Sequence, residues 1–397
     1  MATPVVPGIL GKVLLALFTA GAMALLVKVV AFGKDLVVAS RFGTSGVMDA
    51  FLIAYLAPAV AVYLLGCVPD AVIPVYLRMR AEEDRSAVER FIANVLGRYL
   101  IVLAVVMLLG YAVSSPLVGF LARKLELENR ELALFLFRLL LPFVFFSSLC
   151  QIWANVLQAH RRFAVPAVSP VTIPLCVLGG LLLSGERWGV VPLVVGTLAG
   201  SLLQVVILAT HCQRVCRFSL PRLDPAGVDS PRLARIALPL IAGEALVAAS
   251  IFIDGSMASQ LGEGNISTLT YADKVFSAVV MLATTALGQV VFPYLADFAA
   301  KREWEALRHF FLRFCGMLSA AAVLAAALLF LWAEPVVRIL FERGAFDAGD
   351  TERVAAVLRF CTPQLPFLVI GVVANRALVS MERGHLLIAV TVVSCLC

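Results

Sequence analysis

Apolar runs of about twenty residues recur along the whole chain, each separated by a short charged or proline- and glycine-containing break. A helix of that length crosses the ~30 Å hydrocarbon core of a bilayer. The runs are continuous rather than alternating every second residue, which excludes a membrane β-barrel. They predict ten full spans near 9–32, 50–77, 93–113, 132–157, 166–184, 189–211, 232–253, 269–294, 309–332 and 353–378, and an incomplete eleventh over 386–397. Residues 13–32 have the look of a signal-peptide core, but the run is too long and has an internal counterpart, so no cleavage is expected.

Loop charges set the expected orientation. Arg78, Arg80, Arg85 and Arg90 follow span two, Arg161 and Arg162 follow span four, and Arg214, Arg217 and Arg222 follow span six. Lys301 and Arg302 follow span eight, whereas the odd-numbered loops balance bases with acids, as in Arg123, Lys124, Glu126, Glu128, Arg130 and Glu131. Positive loops stay inside, so the N-terminus and the even loops are expected in the cytoplasm.

One stretch repeats. Phe32 to Tyr55, FGKDLVVASRFGTSGVMDAFLIAY, has a degraded copy 219 residues later, with Asp35, Ala39, Ser40 and Gly43 matched by Asp254, Ala258, Ser259 and Gly262. At the same offset Pro74 meets Pro293 and Pro116 meets Pro335, while Ala154–Asn155 meets Ala374–Asn375 one residue later in register. An even number of spans per copy keeps both copies in one orientation, so this is a parallel six-helix repeat. The expected lobes are 1–222 and 223–397, the second stopping within its fifth helix. A helix ending in mid-membrane leaves carbonyls unsatisfied, so the chain is expected to be a piece of a longer protein.

Composition adds a boundary. The chain is 61% hydrophobic and 15% charged, well outside the range of soluble domains. The net charge of +6 is no more than basic loops supply, and there is no dense basic tract for nucleic acid. The nine cysteines lie mostly in or beside apolar runs and read as small buried hydrophobes rather than a disulfide framework.

No nucleophile–base constellation, metal-ligand set or phosphate-cradling glycine loop stands out, so the chain reads as a transporter rather than an enzyme, with no cofactor. The candidate chemistry is intramembrane charge, which costs roughly 2.5–3.5 kcal/mol per residue at a bilayer centre and usually has a task. Lys28, Lys34 (just past Gly33, a candidate helix break) and Lys274 together suggest a cavity for an anion, and phosphate is the anion of membrane lipids. The bland alternatives are snorkelling for Lys28 and pairing with Asp273 for Lys274. Asp49 opens span two, where it either caps that helix or joins the cavity. Asp70 follows Pro69, a second candidate break. Glu244 and Asp254 are candidates to bind a coupling monovalent cation, or are helix-end carboxylates.

At these residues the sequence resembles the MurJ/MviN family of lipid II flippases, within the multidrug/oligosaccharidyl-lipid/polysaccharide exporter superfamily. The phrases that carry it are GKDLVVASRFG and MDAF in the first copy, then ASQLG, YADKVFSAVVMLATTALGQVVFP and LFERGAFDAGDT in the second. The resemblance implies an all-α polytopic protein of the bacterial inner membrane, with two six-helix lobes in a V. It implies translocation of an undecaprenyl-diphosphate-linked glycan precursor from the inner to the outer leaflet for peptidoglycan synthesis, by alternating access. By position, the family's cavity arginines fall on Lys28, Lys34 and Lys274, and its paired acid on Asp49. A further family arginine falls near Val62 and is absent. The protein is expected to be a monomer working beside cell-envelope synthesis enzymes. An exopolysaccharide-precursor flippase, a drug/cation antiporter and a non-transporting scaffold are the alternatives.

Overall fold

The computed structural model describes residues 6–82, 85–184, 188–215, 221, 223–224, 230–281 and 304–380. These residues are almost all helical. In chain order they form α1 (Val6–Phe42), α2 (Gly46–Glu82), α3 (Arg85–Ala112), α4 (Ser114–Leu121), α5 (Leu127–Ala159), α6 (Ala164–Val168), α7 (Thr172–Ser184), α8 (Val191–Val215) and α9 (Ser230–Ser259). Then come α10, described over 265–281, α11 (Trp304–Phe341), α12 (Ala348–Cys361) and α13 (Leu365–Ser380). Short 3₁₀ turns join α6 to α7 at Ser169–Val171 and α12 to α13 at Thr362–Gln364.

Eight helical stretches among the described residues are long and apolar enough to cross a membrane. They coincide with the expected spans two to seven, nine and ten, from Gly46–Arg80 to Ala348–Val372. Expected span one lies within α1, and span eight begins in α10. The rest of span eight and span eleven lie outside the described residues. The chain is an all-α multi-pass membrane protein.

Two expected helix breaks are absent. α1 runs without interruption through Gly33, around which there is open space, so nothing there forces a break. α2 likewise runs through Pro58, Pro69 and Pro74. A proline inside a helix frees the carbonyl four residues earlier, which in lipid must find another donor. For Pro69 that carbonyl belongs to Leu65, and the Tyr99 hydroxyl of α3 donates to it at 3.0 Å. Tyr99 is itself 2% exposed, packed with Leu96, Leu103, Leu149 and Ile152. The helix therefore continues because its neighbour supplies the missing hydrogen bond.

Packing divides the chain into two units. The first takes the chain up to Val37 together with Ala50–Gln260; the second takes Val38–Asp49 with the chain from Leu261 onward. The first unit thus includes α9, which the sequence duplication assigns to the second copy. The reason is local: Gly255 of α9 has no side chain to keep it from Leu56 of α2, and Glu244 hydrogen-bonds Tyr63 of the same helix.

Within the first unit α2, α3, α5 and α8 share a core that includes Tyr76, Phe91, Val95, Leu157 and Leu208. Cys150 and Cys212 lie in it, behaving as small apolar residues. α7 and α8 touch at their backbones. A Cβ on Gly196 would lie 2.5 Å from Val177 Cα, and one on Gly200 would lie 2.5 Å from Ile173 Cα. The two glycines face one side of α8 at a four-residue spacing, the small-residue pattern by which membrane helices approach closely.

Candidate functional site

The turn between α1 and α2 belongs to the second unit, and its residues explain why. α1 ends at Phe42 because Gly43 turns left-handed, with φ 55°, and its N–H donates to the Ala39 carbonyl at 2.8 Å. The matched Gly262, after α9, also has positive φ, at 107°. Ser45 then caps α2, its hydroxyl accepting from Met48 N–H at 3.3 Å.

In the second copy the residue equivalent to Ser45 is Gly264, which has no side chain to cap with. Asp49 supplies the missing acceptor. Its Oδ1 accepts from Ser267 N–H at 2.8 Å, the position equivalent to Met48, and its Oδ2 accepts from Gly264 N–H at 2.6 Å. Asp49 is 1% exposed. It therefore caps α10 rather than its own helix, and both carboxylate oxygens are committed to backbone N–H groups. The sequence left Asp49 either a cap of its own helix or a member of the cavity; in the structure its carboxylate holds the start of α10.

Removing that carboxylate should leave two buried N–H groups without their acceptor. Asp49→Ala is expected to destabilise the protein by on the order of 2–4 kcal/mol, and Asp49→Asn by less because an amide oxygen still accepts. Thermal unfolding in detergent measures this, and an Ala variant as stable as the parent would contradict the capping role.

A second set of contacts reaches the same turn from the phrase LFERGAFDAGDT. Phe341, Phe346 and Tyr271 form an aromatic trio with ring centroids 5.4–5.6 Å apart, and all three are buried. The trio seats the loop between α11 and α12. Gly344 has φ 64°, and a Cβ there would lie 2.2 Å from the Ser40 carbonyl oxygen. Reciprocally, a Cβ on Gly43 would lie 2.5 Å from the Ala345 carbonyl oxygen. The two backbones touch only because both residues are glycine, and Ala345 N–H donates to Ser40 C=O at 2.7 Å.

Asp347 caps α12 by accepting from Asp350 N–H at 2.8 Å. Asp350, 5% exposed, accepts from both the N–H and the hydroxyl of Thr44. Arg353 pairs with Asp350 and also donates to Thr44 Oγ1 at 2.9 Å. None of Thr44, Asp350 and Arg353 stands out by charge pattern alone, because the arrangement depends on partners some three hundred residues apart. The available signal was the quoted phrase itself.

The remaining candidates lie as follows. Lys28 is exposed on α1. Lys34 pairs with Asp35 at 2.6 Å, and Asp35 is 8% exposed and close to Tyr55, which stacks on Phe51 and meets Phe143 at a tilt. Glu244 of α9 hydrogen-bonds Tyr63, while its buried Oε2 has no partner among the described residues. Asp254 is exposed near the end of the same helix. Lys274 is half-buried on α10, next to an exposed Asp273 that accepts from Ser277. Lys28, Lys34, Glu244 and Asp254 belong to the first unit, and Asp49 and Lys274 to the second.

The sequence profile of the family described as Lipid II flippase MurJ matches residues 38–396. The chain belongs to this family. It is 28% identical over 359 residues to the lipid II flippase MurJ of Burkholderia cenocepacia, covering 86% of this chain and 68% of that protein. It is 29% identical over 358 residues to the probable lipid II flippase MurJ of Bdellovibrio bacteriovorus, covering 88% and 68%. In fold it is similar to a lipid II flippase MurJ in an inward closed conformation, with a TM-score of 0.82 and 19% identity over 95% of this chain and 79% of that one. A multidrug resistance MATE family transporter, inward-facing, follows at 0.73 and 14% identity, over 96% and 88%. The family match spans the α1–α2 turn, the start of α10 and the α11–α12 loop together, so the contacts described above fall within the region the family shares. A family of flippases is a family of transporters, not enzymes.

Proposed function

We infer that this protein is a lipid II flippase, carrying the undecaprenyl-diphosphate-linked peptidoglycan precursor from the inner to the outer leaflet of the bacterial inner membrane. The family match over residues 38–396 carries this reading. Lys28, Lys34 and Lys274 are the cations assigned to the diphosphate. Lysine keeps the charge of the family's arginines without the planar two-pronged fork, so recognition here relies on charge more than on geometry. Glu244, with a carboxylate oxygen buried and unpaired among the described residues, is the stronger of the two carboxylates assigned to a coupling cation.

Alternating access requires elements that change partners. α1 is one continuous helix that carries Lys28 and Lys34, packs with the first unit as far as Val37, and joins the second from Val38. Its last turn is held by Ala345 and its following turn by Asp350. Thr44 and Asp350 are thus assigned to positioning the end of the helix that carries Lys28 and Lys34, and Asp49 to positioning the start of α10, which carries Lys274.

The test is lipid II reaching the outer leaflet in cells depleted of their own flippase and expressing this protein. Rescue with accumulation of outer-leaflet precursor supports the reading. An inserted, folded protein that leaves the precursor inside refutes it.

The orientation follows from loop charge, with the N-terminus in the cytoplasm. In a cysteine-free background, Arg162→Cys should be shielded from an impermeant external reagent and Gly349→Cys should be labelled. The reverse pattern would invert the topology.

A further inference from the structure

α5 carries an arginine at one edge of its apolar run. Residues 139–157 contain no charged side chain, and at 1.5 Å per residue they extend about 28 Å, close to the thickness of the hydrocarbon core. Arg138 therefore lies where core meets headgroups, and its side chain is exposed. Two neutral groups hold it. Its Nε donates to Ser114 Oγ at 3.1 Å, and its guanidinium sits 5.0 Å from the ring centroid of Tyr111. Ser114 is anchored in turn, donating to the Tyr111 carbonyl at 2.7 Å. No carboxylate pairs with Arg138 among the described residues.

The duplicated half provides an internal control. Arg138 precedes Pro142 by four residues, as Arg359 precedes Pro363, and the two arginines lie one to two residues out of the repeat register. Ser114 and Ser115 precede Pro116, and at the repeat offset Ser115 is the position matched by Glu334, directly before the matched Pro335. In the second copy Glu334 Oε2 lies 3.5 Å from Arg359, so charge meets charge. In the first copy Ser115 stands where that acid would be, its neighbour Ser114 holds the arginine, and no carboxylate among the described residues pairs with Arg138.

A guanidinium at that depth is favoured only with a counter-charge, and the anion at that depth is lipid phosphate. With Nε and one ring face occupied, the terminal amino groups remain to meet two phosphate oxygens in a fork. We propose that Arg138, oriented by Ser114 and Tyr111, binds the phosphate of an anionic glycerophospholipid. An anionic headgroup fits better than a zwitterionic one, which brings its own cation to the phosphate.

The experiment is native mass spectrometry of the purified chain titrated with short-chain phosphatidylglycerol, alongside phosphatidylcholine. Arg138→Gln removes the cation. Ser114→Glu instead places a carboxylate at the residue that already holds Arg138 and neutralises it in place. Both should weaken the tightest phosphatidylglycerol site about tenfold, the loss of one charge-assisted contact, while phosphatidylcholine binding stays unchanged. Arg138→Lys should retain part of the affinity. If Arg138→Gln does not fold, the Glu variant still decides. Equal phosphatidylglycerol binding by the parent and the folded variants overturns the proposal. Equal weakening of phosphatidylcholine removes the selectivity for an anionic lipid. Displacement of phosphatidylglycerol by equimolar undecaprenyl diphosphate would transfer the site to the transported lipid and overturn it as well.

Discussion

Gly344→Val is expected to leave little folded protein, with a destabilisation on the order of 4–5 kcal/mol, at the upper end of single-residue effects. The chain at Gly344 is left-handed, with φ 64°, which a β-branched residue resists. The added Cβ would also lie 2.2 Å from the Ser40 carbonyl oxygen. That oxygen has no free direction of retreat, because it accepts from Ala345 N–H, next in the chain. Relief therefore requires the loop to lift, which breaks that bond and draws Asp350 away from Thr44. Gly344→Ala meets the same clash with a smaller side chain and should be intermediate. Gly316 is the contrast, in the middle of α11 with open space where its Cβ would be. Gly316→Ala should be neutral or stabilising by about 0.5–1 kcal/mol, since it only removes chain freedom. Yield of monodisperse protein in detergent and its thermal midpoint separate the three. A Gly344→Val protein as stable as the parent would mean that the loop does not grip Ser40.

The contrast between Gly344 and Gly33 shows what a sequence carries. Membrane spans were legible because each sums a transfer preference over some twenty residues, so single exceptions do not hide them. The suggested breaks at Gly33 and Pro69 failed because a break depends on the neighbours: Tyr99 satisfies the Leu65 carbonyl, and nothing in the local sequence announces that. The duplication was legible through Asp35, Ala39, Ser40 and Gly43. Its most informative difference was not, because Ser45 and Gly264 acquire meaning only once Asp49 is seen capping α10. Thr44 and Asp350 were equally hidden. Each is an ordinary helix-end residue in its own segment, and their hydrogen bonds join segments that periodicity treats separately. Lys34 lay in plain view as a charge, but its ion pair with Asp35, its immediate neighbour in the chain, changes what its loss would do.

That pair shapes the second large effect. Lys28→Gln and Lys274→Gln should each lower transport roughly tenfold or more, the loss of one charge-assisted contact to a diphosphate. Lys34→Gln should be worse than either. It removes a cation and also leaves Asp35, 8% exposed, without its lysine beside a group meant to hold an anion. Adding Asp35→Asn to Lys34→Gln should therefore recover part of the loss, a result that simple removal of a phosphate contact would not give. Arginine at any of the three positions should keep activity, since the charge remains and the fork suits phosphate at least as well. The triple Gln variant should be inactive though inserted. The measurement is lipid II exposed on the outer leaflet, normalised to membrane-inserted protein. A scaffold would tolerate all of these changes, and a cation antiporter would be more sensitive at Glu244 or Asp254 than at any lysine. Normal lipid II translocation by the triple Gln variant would remove the lysines from the substrate path, because the charge assigned to the diphosphate would then be dispensable.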